Sequence, residues 1–192
     1  MPINRENLLP LEAYARERNA FRARVMEHKK RRTVQLGAHV TLLFEDELTI
    51  RYQVQEMLRV ERIYEEDGIQ QELDAYNPLV PDGTNWKATM LIEYPDEEER
   101  KRQLALLRGI ERGVWVQVHS HERVPAIADE DLDRETQEKT SSVHFLRFEL
   151  DPAMRAALAG GAGVRIGVDH RHYQASTELP SDVRAALCAD LR

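Results

Sequence analysis

The stretch Val143-His144-Phe145-Leu146-Arg147-Phe148-Glu149-Leu150, followed at once by Asp151-Pro152, decides how this chain is read. Its side chains alternate. Val143, Phe145 and Arg147 fall on one face, and His144, Leu146, Phe148 and Leu150 on the other, the period-two pattern of a half-buried strand. Asp151-Pro152 opens a helix that Gly160-Gly161 closes, and residues 164–168 form a further core strand. Upstream, residues 88–94 form a strand and residues 113–118 alternate in the same way. Residues 33–36 and 40–44 flank a Gly37-Ala38-His39 turn as a hairpin, which leaves His39 exposed. A turn at Ser120-His121 leads into a short strand over 124–128. Helices are predicted over about 8–30, 47–65, 69–76 and 96–109 and from Pro180-Ser181-Asp182 onward, with Gly68 breaking the second from the third. Strands and helices do not alternate regularly. The expected architecture is therefore α+β, a mostly antiparallel sheet with helices packed on one face, in a single domain over 1–192.

Composition narrows the function classes. The chain has 192 residues, a net charge of −7, 42% apolar and 32% charged residues. Its single cysteine, Cys188, excludes a disulfide framework, an all-cysteine zinc site and a cysteine-ligated iron–sulfur cluster within one chain. No apolar run approaches the ~20 residues of a membrane helix. The acidic balance argues against nucleic-acid binding by the whole surface. Met1-Pro2-Ile3-Asn4-Arg5-Glu6 lacks a secretory signal, so a cytoplasmic location is expected. The one dense basic run, Lys29-Lys30-Arg31-Arg32, ends the first helix, where cations meet the negative end of its dipole. The competing reading of that run is an anion contact. Residues 129–140 hold eight charged side chains and read as a solvated loop or an exposed helix.

The helix over 47–65 carries the best chemical signal. At a hundred degrees per residue, Ile50, Val54, Met57, Glu61 and Tyr64 share one stripe, so Glu61 stands where an apolar residue is expected. An unpaired buried carboxylate costs several kcal/mol, so Glu61 is predicted to be paired or to bind something. The candidates are a metal ligand or acid/base group, a salt bridge to Arg147 or Arg165, or a helix that turns this stripe to the surface. The opposite side carries Arg51, Gln55, Glu56, Arg59 and Arg62, which read as a solvated face or as a docking surface for another protein.

Of the seven histidines, His119/His121 and His170/His172 stand two apart near strand ends, a spacing that can reach one metal but also suits exposed, unliganded rings. His144 alternates with core residues inside a strand and is expected to be buried. If the fold converges them, Glu61 and His144 suit iron, manganese or zinc, with Glu56, Glu93 or His170 completing the set. Glu93 belongs to an apolar strand and reads as a second buried carboxylate. The chain has no His-Glu-x-x-His, no Glu-x-x-His, no phosphate loop, no dinucleotide fingerprint and no nucleophile elbow. Cys188 has no histidine near it in sequence.

Across Phe44-Glu45, residues 55–63, 72–83, 90–94, 139–148 and 167–170, the chain resembles an uncharacterised bacterial family, domain of unknown function 3501. The resemblance covers nearly the whole chain and implies no catalytic residues. It implies a neighbourhood: members tend to be encoded beside a rubrerythrin-like di-iron protein and a cysteine-rich iron–sulfur oxidoreductase. The leading expectation is therefore an accessory protein of a redox or peroxide-defence system that binds one of those partners. The alternatives are a metal-binding protein or metal-dependent enzyme with a Glu/His site, and a small-ligand or anion-binding module.

Overall fold

The computed structural model describes residues 2–130 and 139–192; most of the charged stretch over 129–140 lies outside them. A short turn of 3-10 helix at Arg5–Asn7 leads to Pro10, whose extended backbone (φ −54°, ψ 147°) caps α1 (Leu11–Lys30). The helix therefore starts later than its apolar spacing suggests, because residues 8–10 run extended into the proline. β1 (Thr33–Leu36) and β2 (Val40–Phe44) form the expected hairpin. Asp46 then caps α2 (Glu47–Glu61), accepting from the Thr49 amide at 2.9 Å, while the Thr49 hydroxyl accepts from the Asp46 amide at 2.9 Å.

α2 stops at Glu61, not at residue 65. Arg62 takes the left-handed conformation (φ 57°, ψ 41°), which ends the helix. Gly68, expected as a breaker, lies inside α3 (Glu66–Tyr76). Its role is space: a Cβ there would stand 2.8 Å from the Ile63 side chain, which folds back over the helix.

The remaining elements are β3 (Asn85–Ile92), α4 (Glu97–Leu106), β4 (Val114–Val118), β5 (Arg123–Pro125), β6 (Ile127–Ala128), β7 (Val143–Glu149), α5 (Pro152–Ala159), β8 (Val164–His170), β9 (Tyr173–Glu178) and α6 (Ser181–Cys188). β9 has no counterpart in the sequence reading, because Tyr-Gln-Ala-Ser-Thr-Glu offers little apolar alternation. The single strand expected over 124–128 is two. At Ala126, whose amide donates to the Val114 carbonyl at 2.8 Å, the chain leaves one sheet and enters the other.

All strand pairs are antiparallel, as an α+β chain of this kind should give. They divide between two sheets, β1-β2-β3-β7-β6 and β5-β4-β8-β9. The two sheets share one core. Leu42, Phe44, Met90 and Phe148 come from the first, Val116, Ile166 and Val168 from the second, and Leu104, Leu158 and Leu187 from α4, α5 and α6. A second, smaller cluster of Ile3, Leu8, Ile50, Val54, Leu58, Ile69, Leu73 and Val80 holds α2, α3 and the N-terminal turn together. Among the described residues no helix is long and apolar enough to cross a membrane.

Candidate functional site

The residues expected to share a metal go to separate places. Glu61 is the exposed last residue of α2. The buried stripe of that helix runs Ile50, Val54, Leu58 at steps of four and ends there, so the projection through Met57 to Glu61 and Tyr64 fails at the helix terminus. Glu61 faces Glu72 of α3, whose carboxyl is raised by burial and then by the Glu61 charge. His144 is fully buried on the core face of β7, as its alternation predicts. Its Nδ1 lies 2.6 Å from Asp129 Oδ2, and its Nε2 lies 2.9 Å from the Thr140 hydroxyl and 3.1 Å from the Ser141 carbonyl. The row Thr140–His144–Asp129 has the order of nucleophile, base and orienting acid. Thr140 is only 1% exposed, however. A hydroxyl that no substrate reaches makes the row a means of satisfying polar groups inside the sheet.

Glu93 is exposed, one residue past the end of β3, which corrects the buried carboxylate expected there; it accepts from the Thr41 hydroxyl at 2.7 Å. His170 Nε2 meets the Arg108 carbonyl at 3.1 Å. His119 pairs with Glu178 at 2.8 Å. Among the described residues, no three His, Cys, Asp or Glu side chains are grouped to hold a metal ion.

The polar side of α2 is largely used inside the molecule. Glu56 receives Arg18 in a two-pronged pair, both contacts 2.7 Å, and the Tyr14 hydroxyl at 2.6 Å. These donors, Arg18 first, hold the Glu56 carboxyl down to about 2 against the opposing effect of burial. Burial and the bond to Glu56 push the Tyr14 phenol well up. Gln55, expected on the docking face, is buried and bonds the Leu9 amide at 2.6 Å and the Leu9 carbonyl at 3.2 Å. Arg51 lies 3.4 Å from Glu47 and faces the Phe21 ring. Arg59 reaches Glu56 at 3.4 Å. Of the expected docking residues, only Arg59 and Arg62 remain at the surface. Beside them two apolar side chains stand out: Val60 is 63% exposed and Tyr64 72% exposed.

Charged residues outside the predicted metal set are also drawn inward, Arg32 and Glu111 fully and Asp46 in part. Arg32, the last member of the basic run, donates to the carbonyls of Phe44 at 2.9 Å, Glu45 at 3.2 Å and Ala186 at 3.3 Å, and pairs with Asp190. One of the four cations of that run is thereby withdrawn from an anion site. Asp46 lies 3.5 Å from Arg32 and 2.6 Å from His28. Burial pushes the Asp46 carboxyl up, yet Arg32, the Thr49 amide and His28 together leave it below its ordinary value. Glu111 is buried with one carboxylate oxygen that has no hydrogen-bond partner among the described residues.

Glu45 is 3% exposed. Its carboxylate accepts from the hydroxyls of Thr49 and Thr89, the latter at 2.6 Å. It lines a cavity of about 70 Å³ with Pro78, Leu79, Lys87, Ala88, Glu130, Phe145, Leu146 and Arg147. Burial pulls the Lys87 amine down from its ordinary value. No pattern announces Glu45, because it stands between a strand's last residue and a helix cap, where a solvated acid is the ordinary expectation.

A solved structure of a novel protein of unknown function from Burkholderia pseudomallei K96243 is similar over 100% of both chains, with 57% identity and a TM-score of 0.95. No curated protein matches the sequence. Residues 2–191 match the family described as protein of unknown function, DUF3501, so the resemblance seen in Phe44-Glu45, residues 72–83 and residues 139–148 is one of descent: the chain belongs to the DUF3501 family.

Proposed function

We propose that this protein is a cytoplasmic accessory component of a bacterial redox or peroxide-defence system, and that it acts by binding an iron–sulfur oxidoreductase or a rubrerythrin-like partner. The observation that carries the reading is the corner between α2 and α3. Val60 and Tyr64 present most of their side-chain surface to water, flanked by Arg59, Glu61 and Arg62. Large exposed apolar side chains ringed by charge are a common form of contact surface. The class of partner comes from the family's neighbourhood. The dispersal of Glu61, His144, Glu56, Glu93 and His170 supports a binding role over chemistry by that set.

The test uses purified proteins. The chain is immobilised and exposed to a purified rubrerythrin-like protein and a purified iron–sulfur oxidoreductase from the same genome, in reducing and in oxidising buffer. Saturable binding to one of them, weakened about tenfold or more by Tyr64→Asp or Val60→Asp, is the expected result; tenfold corresponds to roughly 1.4 kcal/mol. Failure to bind either partner in both buffers ends this reading. Binding that ignores both substitutions moves the contact away from the corner.

A further inference from the structure

We propose that the cavity under Pro78 and Leu79 is a binding site for a small primary ammonium compound, with Glu45 as its counter-ion. The reasoning starts from charge. Every other ionised group around the cavity has an opposite charge or a carbonyl in contact. Arg147 holds Glu130 through two 2.7 Å contacts and also pairs with Glu149. The Lys87 amine donates to the Pro78 carbonyl. Glu45, the most deeply buried of these groups, pairs with no cation within 4 Å among the described residues; Thr49 and Thr89 give it one O–H each. A carboxylate accepts about four hydrogen bonds, so two acceptor sites stay open. A buried negative charge satisfied only by hydroxyls favours a cation in the adjoining space.

Size and wall chemistry select the kind of cation. A cavity of about 70 Å³ exceeds the roughly 10–15 Å³ that one water occupies by the same measure. Ala88, Phe145, Leu146 and Leu79 give it apolar sides. Those sides offer nothing to the shell of a hydrated metal ion but fit a short alkyl chain. A primary ammonium head supplies three N–H donors, enough for both open acceptor sites on Glu45. Glu130 and Pro78 are exposed and mark the mouth.

The experiment is a calorimetric titration of the full chain with methyl-, propyl- and butylammonium chloride, with sodium butyrate as the opposite-charge control. Amide spectra are recorded alongside to locate the site. Saturable binding is expected, tightest for the longer alkylammonium ions, with amide shifts centred on Ala88 and Leu146. Glu45→Gln keeps both hydroxyl partners and removes the charge, and is expected to weaken binding at least tenfold. Leu79→Trp, a change in the half-buried wall, is expected to abolish it by filling the space and serves as the second variant if Glu45→Gln does not fold. Absence of saturable binding overturns the proposal. So does butyrate binding as well as butylammonium, an affinity unchanged in Glu45→Gln, or shifts clustered elsewhere.

Discussion

The two clusters of buried side chains are held by different forces. The core shared by the two sheets is almost wholly apolar, with Phe44, Phe148 and Trp86 at its centre, Phe44 within 6.2 Å of each of the other two rings. The helical layer is otherwise. α1 spans twenty residues yet buries only Tyr14 and Val25. It is fastened to α2 by Tyr14 and Arg18 on Glu56, by Phe21 against Tyr52, and near its end by His28 on Asp46. Burial of apolar area is indifferent to pH, whereas a fastening of acids, a phenol and a guanidinium is not. One chain thus combines a sheet core held mainly by packed volume with a helix that charge changes can release.

The largest expected effect tests the sheet side. Phe148→Ala empties the centre of the core and is expected to cost about 3–5 kcal/mol, seen as a global shift in the urea unfolding midpoint. If the protein tolerates it with little loss, the sheet core is not the stronger half. The next test addresses the helix. Glu56→Ala strips Arg18 and Tyr14 of their acceptor at a partly exposed site and is expected to cost about 1–2 kcal/mol. Hydrogen exchange should show the loss confined to α1 and α2, with β3, β4 and β8 still protected. Equal loss in the strands would erase the distinction.

Acid sharpens the same contrast without a substitution. The folded carboxyl of Glu56, at about 2, lies below its ordinary value of 4.5. A carboxyl lowered by folding stabilises the fold fully above its unfolded pKa and loses that contribution as pH falls through its folded one. Between pH 4.5 and about 2 the α1 amides are expected to lose protection before the sheet amides do. Simultaneous loss would mean that α1 does not depend on Glu56. The smallest effect concerns the α2–α3 corner. Arg62 adopts φ 57°, which costs a side-chain-bearing residue roughly 1 kcal/mol relative to glycine. Arg62→Gly is therefore expected to leave stability unchanged or raise it by up to about that amount. A clear fall in the melting temperature would show that the arginine side chain holds the corner.

What was legible in the sequence follows from what periodicity encodes. The alternation of β7 fixed both its faces and the burial of His144, because one residue in two must enter the core. The antiparallel α+β class followed from the irregular order of elements. The split into two sheets was not legible, since it depends on Ala126, where nothing in composition marks a change of partner. The Glu61 signal misled because helical projection assumes that the helix continues, and Arg62 ends it. Glu93 misled in the same way at the end of β3. Gln55 was read as surface from its place opposite the apolar stripe of the helix, and Arg32 from its place in a basic run at a helix end. Each is drawn inward by backbone groups that only the tertiary fold presents, the Leu9 amide and carbonyl for one and three carbonyls for the other.

Arg32 also bears on the order in which the protein is made. Its guanidinium bonds groups 154 and 158 positions downstream, the Ala186 carbonyl and the Asp190 carboxylate. At about 5–20 residues per second, a ribosome delivers those partners roughly 10–30 s after Arg32 itself. Throughout that interval two of its partners are missing, and the guanidinium at the junction between α1 and β1 keeps part of its water. Elongation therefore runs ahead of closure at this point. A chain stalled before residue 186 should pair its first hairpin yet leave Arg32 hydrated, and burial of that side chain should follow the synthesis of residues 186–190.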